Sequence, residues 1–222
     1  RPEFTSSIEG GFELRFFQNR LGLEVTGYMS NSKDLLLPVK ISNTTGFDEA
    51  YINAGEIENK GIEISLTAIP VRTQDFSWDF NINFSTNKNE VVKLNEGLTE
   101  ILTATHFGYL TSNANMKLIP GYEYGSLFGR TYRRYYGTKP EDPIRIDEDQ
   151  PLLIGANGFP VIDTKQKYLG STQPDYILST LQTVRYKQFS LTVLFDTRQG
   201  QMKYNQFANF MSAFGTAKYT EN

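Results

Sequence analysis

An all-β fold of antiparallel, bilayer-length strands is what this sequence predicts, and three features predict it. Residues 76–85 read FSWDFNINFS and alternate apolar with polar without a fault. Alternating runs recur in pairs, each pair broken by a short group of turn residues. Helical periodicity is nearly absent along the chain. Successive side chains on a strand point to opposite faces, so 76–85 has one greasy surface and one wet one. Its length matches the roughly nine to eleven residues with which a tilted strand crosses a bilayer.

The pairs fall in order along the chain. Phe12, Leu14 and Phe16 alternate with Glu13 and Arg15, Gln18 to Arg20 turn, and Leu21, Leu23, Val25 and Met29 return. A second pair runs 61–69, turns through Pro70 to Asp75, and returns along 76–85. A third runs Tyr176 to Tyr186, turns at Lys187-Gln188, and returns from Phe189 to Phe195. Between them the polar stretches 31–58, 88–120 and 137–174 read as long loops, unusual within a compact domain. Phe16, Phe17, Phe76, Trp78, Tyr186 and Phe189 gather near the short turns, where an interfacial girdle would put them. Short turns at one end and long loops at the other are the habit of outer-membrane barrels.

Composition agrees once the half-polar character of barrel strands is allowed for. Mean hydropathy is −0.42, and apolar residues make up 39% of the 222. The longest apolar runs, such as Leu35 to Leu37, are far too short for a transmembrane helix. Aromatics reach 14%, with 16 Phe and 13 Tyr against one Trp. A net charge of −3 argues against a nucleic-acid binder. The absence of cysteine excludes a disulfide framework or a thiolate metal site. No compositional break divides the chain into two domains.

Residues that could carry chemistry are few. His106 is the single histidine and reads as a loop residue, and the count excludes a zinc site of two or three histidines. Asp147-Glu148-Asp149 could attract calcium, but Leu152 stands where the sharp-turn glycine should be, so it reads as a solvated loop. Glu56 and Glu58 share a strand face, a spacing that says nothing about a bond held between them. Arg130-Thr131-Tyr132-Arg133-Arg134-Tyr135-Tyr136 interleaves base and aromatic and reads as a rim or interior strand with a local positive surface. Gly121 to Gly125 opens no helical pattern and forms no phosphate loop. No catalytic, cofactor-binding or metal-binding residue is assigned, the substrate-contacting residues cannot be named, and no enzyme is expected.

Four ordered segments then carry a resemblance. NAGEIENKGIEISL (53–66) followed by FSWDFNINFSTNKNEVVKL (76–94), GFELRFFQNRLGLEVTGYMSNSKDLLL (11–37), GYEYGSLFGRTYRR (121–134) and YLGSTQPDYILSTLQTVRYKQFSLTVLFDTRQG (168–200) resemble the barrel of SusC/RagA-type TonB-dependent outer-membrane receptors. In these motifs Asn59-Lys60-Gly61 reads as a strand entry, and Leu169-Gly170 and Pro174-Asp175 as loop ends. The resemblance implies that residues 1–222 belong to one receptor β-barrel domain of a Gram-negative, Bacteroidota-type outer membrane. The barrel would have about 22 strands. About eight to ten of them are expected here, with the plug, the TonB-contacting box and the C-terminal strands absent. It implies uptake of oligosaccharides or peptides, energised by the TonB complex through the plug, under a SusD-like surface lipoprotein, with no cofactor and no nucleic acid. Polar faces (Glu13, Arg15; Asp79, Asn81, Asn83) would line the lumen, and Phe76, Trp78, Phe80 and Phe84 would meet lipid. The alternative is a soluble extracellular β-sandwich that binds glycans on exposed aromatics.

Overall fold

Residues 1–105 and 114–220 are described by the computed structural model of the chain. Four long strands open it: β1 (Phe4–Phe16), β2 (Leu21–Lys40), β3 (Glu49–Arg72) and β4 (Phe76–Leu94). Short strands follow: β5 (Ile101–Thr105), β6 (Ala114–Leu118), β7 (Ser126–Gly129) and β8 (Lys167–Ser171). The hairpin β9 (Tyr176–Tyr186) and β10 (Phe189–Gln199) precedes a short helix, α1 (Gln206–Ala213). One antiparallel sheet has the order β1-β2-β3-β4-β9-β10, and a second has the order β5-β6-β7-β8. Because β4 and β9 are neighbours, residues 95–175 leave the large sheet and return beside the point of departure.

Registry shows that each face is continuous. Leu23 stands opposite Leu14 on one side and Leu66 on the other, and Leu66 stands opposite Ile82. Val25, Ile64, Phe84 and Leu178 form the next row, and Phe76, Tyr186 and Phe189 form a row beside the turns. Residues directly opposite share a face, so one surface of the sheet is mainly apolar, with Thr180 and Gln182 of β9 as polar intrusions. The other carries Glu13, Glu24, Ser65, Asn83 and Ser179 in the same rows. A one-residue slip would mix the two surfaces, and through this belt the register shifts only at a bulge between Ala68 and Val71 on β3, close to the short turn. Leu181 and Leu194 are apolar intrusions on the polar side.

Strand length separates two zones. β9 and β10 have 11 residues each, the length of a span, whereas β2, β3 and β4 have 20, 24 and 19. The excess lies at the end away from the short turns. There Lys60 stands opposite Lys88, closing the apolar belt. Register shifts follow, between Ser32 and Leu35 on β2 and between Glu56 and Ile57 on β3. Beyond them Ala54, Ile57, Val91, Ile101 and Leu118 form a buried cluster joining the long strands to β5 and β6.

Several expectations are corrected. The 31–58 stretch is strand except for a short connection near 41–48, and 88–94 continues β4, because polar residues on an emergent sheet need no apolar alternation. The second turn is only Thr73 to Asp75, closed by the Thr73 N–H on the Phe76 carbonyl at 2.7 Å. Pro70 lies inside β3 instead, in a bulge between Ala68 and Val71, where its missing N–H leaves no ladder bond unmade. Gly61 is not a strand entry: β3 begins at Glu49, and Gly61 faces Tyr28 across the sheet. A Cβ there would come within 2.4 Å of the Thr86 carbonyl oxygen and 2.6 Å of the Tyr28 ring, so glycine leaves the room that the tyrosine fills. Leu169-Gly170 lies within β8 and not at a loop end. Six strands form the large sheet, fewer than the eight to ten expected, and the four short ones belong to the outer excursion. The 88–120 and 137–174 stretches contribute β5, β6 and β8 to that second sheet. The α1 helix was not foreseen; the Asn205 side chain caps it by accepting from the Ala208 N–H at 3.0 Å.

Candidate functional site

The polar face carries a row of amides and hydroxyls. Tyr28 donates to the Asn87 side-chain oxygen at 3.1 Å, and Asn87 donates to Asn59 at 3.5 Å, linking β2, β4 and β3. Asn59 and Asn87, with Ser32, Asn89, Tyr124 and Gln173, line a cavity of about 320 Å³ at the outer end of the sheet. Lower on the same face Glu24, Glu63, Ser65, Asn83 and Ser179 line a hollow of about 430 Å³. Near the short turns Asp79 is paired with both Arg185 and Arg72. Amides and hydroxyls both donate and accept, so this surface can hold the hydroxyls of a sugar or the backbone of a peptide.

The excursion is fastened to that face. The Val91 N–H donates to the Tyr122 carbonyl at 2.9 Å, and the Gly121 N–H donates back to the Val91 carbonyl at 2.9 Å. The Asn89 side chain accepts from the Tyr124 N–H at 2.6 Å. Above this anchor Tyr122, Phe128 and Tyr168 pack as three rings with centroids 5.2–5.7 Å apart. Burial and the nearby Glu123 charge push the Tyr168 hydroxyl up to about 12, so it stays a neutral donor, bonded to Glu123 at 3.2 Å. Lys167 is buried and donates to the Glu141 carboxylate at 2.8 Å and the Asp142 carbonyl at 2.7 Å.

The residues weighed from sequence fall in different places. Glu56 and Glu58 take separate partners. Glu58 pairs with Lys60 at 3.3 Å, while the buried Glu56 accepts from Asn31 at 2.7 Å and pairs with Lys93 at 3.1 Å. Asn31's hydrogen bond, helped by Lys93 and Lys33, holds the Glu56 carboxyl below the usual range against the opposing effect of burial. Asp147 accepts from the Asp149 N–H and the Gln150 amide, closing its own turn. Among the described residues no cluster of three His, Cys, Asp or Glu forms a metal-binding group. His106 lies outside the described residues. The 130–136 segment lies in the excursion as an irregular ribbon, tied by isolated bridges from Tyr132 to Ile162 and from Arg134 to Leu152, and not as a regular strand. The Tyr28–Asn87–Asn59 row was missed from sequence; alternate polar positions along β3 and β4 were the signal for it.

Comparison with known proteins gives a consistent result. The family model described as "TonB dependent receptor-like, beta-barrel" matches residues 1–194. TonB-dependent receptor P3 of Formosa agariphila is 30% identical over 205 residues, covering 89% of this chain and 20% of that protein. TonB-dependent receptor SusC of Bacteroides thetaiotaomicron is 28% identical over 195 residues, covering 86% of this chain and 19% of that one. The chain thus spans about a fifth of the length of these relatives. Among solved structures, the RagAB peptide transporter superposes with a TM-score of 0.66 at 23% identity, over 89% of this chain and 21% of that chain. That likeness shows the fold.

Proposed function

The chain belongs to the TonB-dependent receptor-like β-barrel family of the outer membrane, and from that premise we propose that it forms part of the wall and outer mouth of a nutrient importer. Residues 1–222 are assigned to a single barrel domain, with the apolar face of the six-stranded sheet toward lipid and the amide-bearing face toward the lumen. The observation that carries this reading is the mainly apolar face that the pairing aligns across the six-stranded sheet, with no second layer over it among the described residues. A β-sandwich would bury those rows against a partner sheet. The second sheet instead sits at the outer end, joined to the long strands by the Val91 and Asn89 bonds.

The substrate is an oligosaccharide or a peptide, drawn in with energy from the TonB complex and admitted beneath a SusD-like lipoprotein; the wall performs no covalent chemistry. SusC-like kinship and the RagAB likeness support this pairing of barrel and lid. The test is to tag the full-length receptor in its host and purify it in mild detergent. Co-purification of a SusD-like lipoprotein is expected, together with growth on one substrate class that fails when TonB is deleted. A receptor recovered without detergent as a soluble monomer would return the sandwich reading.

A further inference from the structure

Arg130, Arg134 and Arg145 line one cavity of about 650 Å³ in the excursion, with Thr131, Tyr132, Tyr168, Leu169 and Met202. The volume is that of a small-ligand site. Its charge is lopsided. Glu148 is the single acid on its wall, and among the described residues no carboxylate lies within 4 Å of these three guanidinium groups. Three arginines against one wall acid leave the lining net positive in a chain whose net charge is −3, although the Asp142 carboxylate also acts on Arg145.

Each arginine also has donors to spare. Arg134 Nη1 donates to the Gln150 carbonyl at 2.9 Å and to the Glu148 carbonyl at 3.5 Å, while its Nε is buried without a partner. Arg145 lies with its guanidinium carbon 5.4 Å from the centre of the Tyr122 ring and hydrogen-bonds the Tyr122 side chain, which engages only part of its five N–H donors. Arg130 is exposed and holds no ion pair among the described residues. A guanidinium fork matches the two oxygens of a carboxylate or sulfate. Tyr132, 53% exposed beside the arginines, offers a flat face for a ring, and Leu169 and Met202 add an apolar wall.

We propose that this cavity binds an acidic sugar unit, a carboxylate- or sulfate-bearing residue of the oligosaccharide that the receptor takes up. The inference rests on the import reading and narrows its substrate class. It is tested on the purified full-length receptor in detergent by titration calorimetry with tetragalacturonate, a sulfated carrageenan tetrasaccharide, neutral maltotetraose and hexaglutamate. At least one acidic tetrasaccharide is expected to bind tenfold or more tighter than maltotetraose, with an affinity that falls as salt rises. Arg130→Gln alone, at an exposed position, should weaken that binding at least threefold, and Arg130→Gln with Arg145→Gln at least tenfold. Equal binding of acidic and neutral sugars, undiminished binding in the single variant, or tighter binding of hexaglutamate than of either acidic sugar would overturn the proposal. None of those results would touch the outer-membrane import reading, which fails on its own if the receptor proves soluble.

Discussion

Along β10 the apolar side chains stand open, from Phe189 at 70% exposed to Phe195 at 58%, while Phe128 and Leu127 in β7 are 1% and 2% exposed. Both segments are antiparallel strand, yet they obtain their order differently. In its belt the large sheet keeps most apolar residues on alternate positions, and no second layer among the described residues covers them. The excursion buries four consecutive residues, Ser126 to Gly129, among its own rings and the buried Lys167. A wall needs lipid and neighbouring strands to complete it, whereas the excursion carries a small core of its own. Substitutions should therefore act through different environments in the two regions.

The largest effect is expected in the excursion. Phe128→Ala removes a fully buried ring from the Tyr122–Tyr168 stack and should cost about 3–5 kcal/mol locally. Hydrogen exchange in the full-length receptor should show residues 121–129 and 167–171 opening while β9 and β10 stay protected. Loss of protection throughout the sheet would show that the two regions fold as one.

In the wall, Phe80→Arg should cost about 2–4 kcal/mol at mid-membrane depth, while the adjacent Asn81→Arg mainly alters the polar face. Surface levels of the full-length receptor separate them, and equal losses would remove the assigned orientation of the sheet. Gly61→Ala comes next, at about 1–3 kcal/mol, because the new Cβ must displace the Tyr28 ring or the Thr86 carbonyl. Tyr28→Ala placed with it should recover part of the loss, and a thermal midpoint that shows no recovery would argue against this contact.

Legibility in the sequence followed the same division. The belt was readable because lipid and lumen impose a period of two: 76–85 and the turn at Lys187-Gln188 appear where the alternation placed them. The emergent halves were not. Residues 31–40 and 49–58 are strand, but their apolar residues pack on a small buried cluster beyond the belt and bulges break the alternation, so they look like loop. Pro70 suggested a turn because a bulge that accommodates proline leaves no mark on the pattern. The polar face was foreseen in part, through Asn81 and Asn83, but the excursion anchored on Val91 depends on contacts distant in sequence. The basic ribbon at 130–136 was visible as composition, while its meeting with Arg145 and Tyr168 was not.

The smallest effect belongs to the junction of the two regions. Glu56 has its pKa lowered in the folded chain, so its contribution to stability is present above the unfolded carboxylate range and is lost as pH falls through the folded value. Exchange at residues 50–57 and 91–94 should speed up in acid, and Glu56→Gln should flatten that dependence. The same pH dependence in the variant would remove Glu56 from the account.

The central claim, that one face of the sheet meets lipid and the other water, is tested most directly on β4. Residues 1–222 contain no cysteine, so single cysteines introduced at 76–85 of a full-length receptor cleared of any cysteine elsewhere can be labelled in membranes with a water-soluble maleimide. Positions 77, 79, 81 and 83 are expected to react and 78, 80, 82 and 84 to stay shielded. Uniform reactivity, or shielding of both sets, would contradict the assignment of the wall.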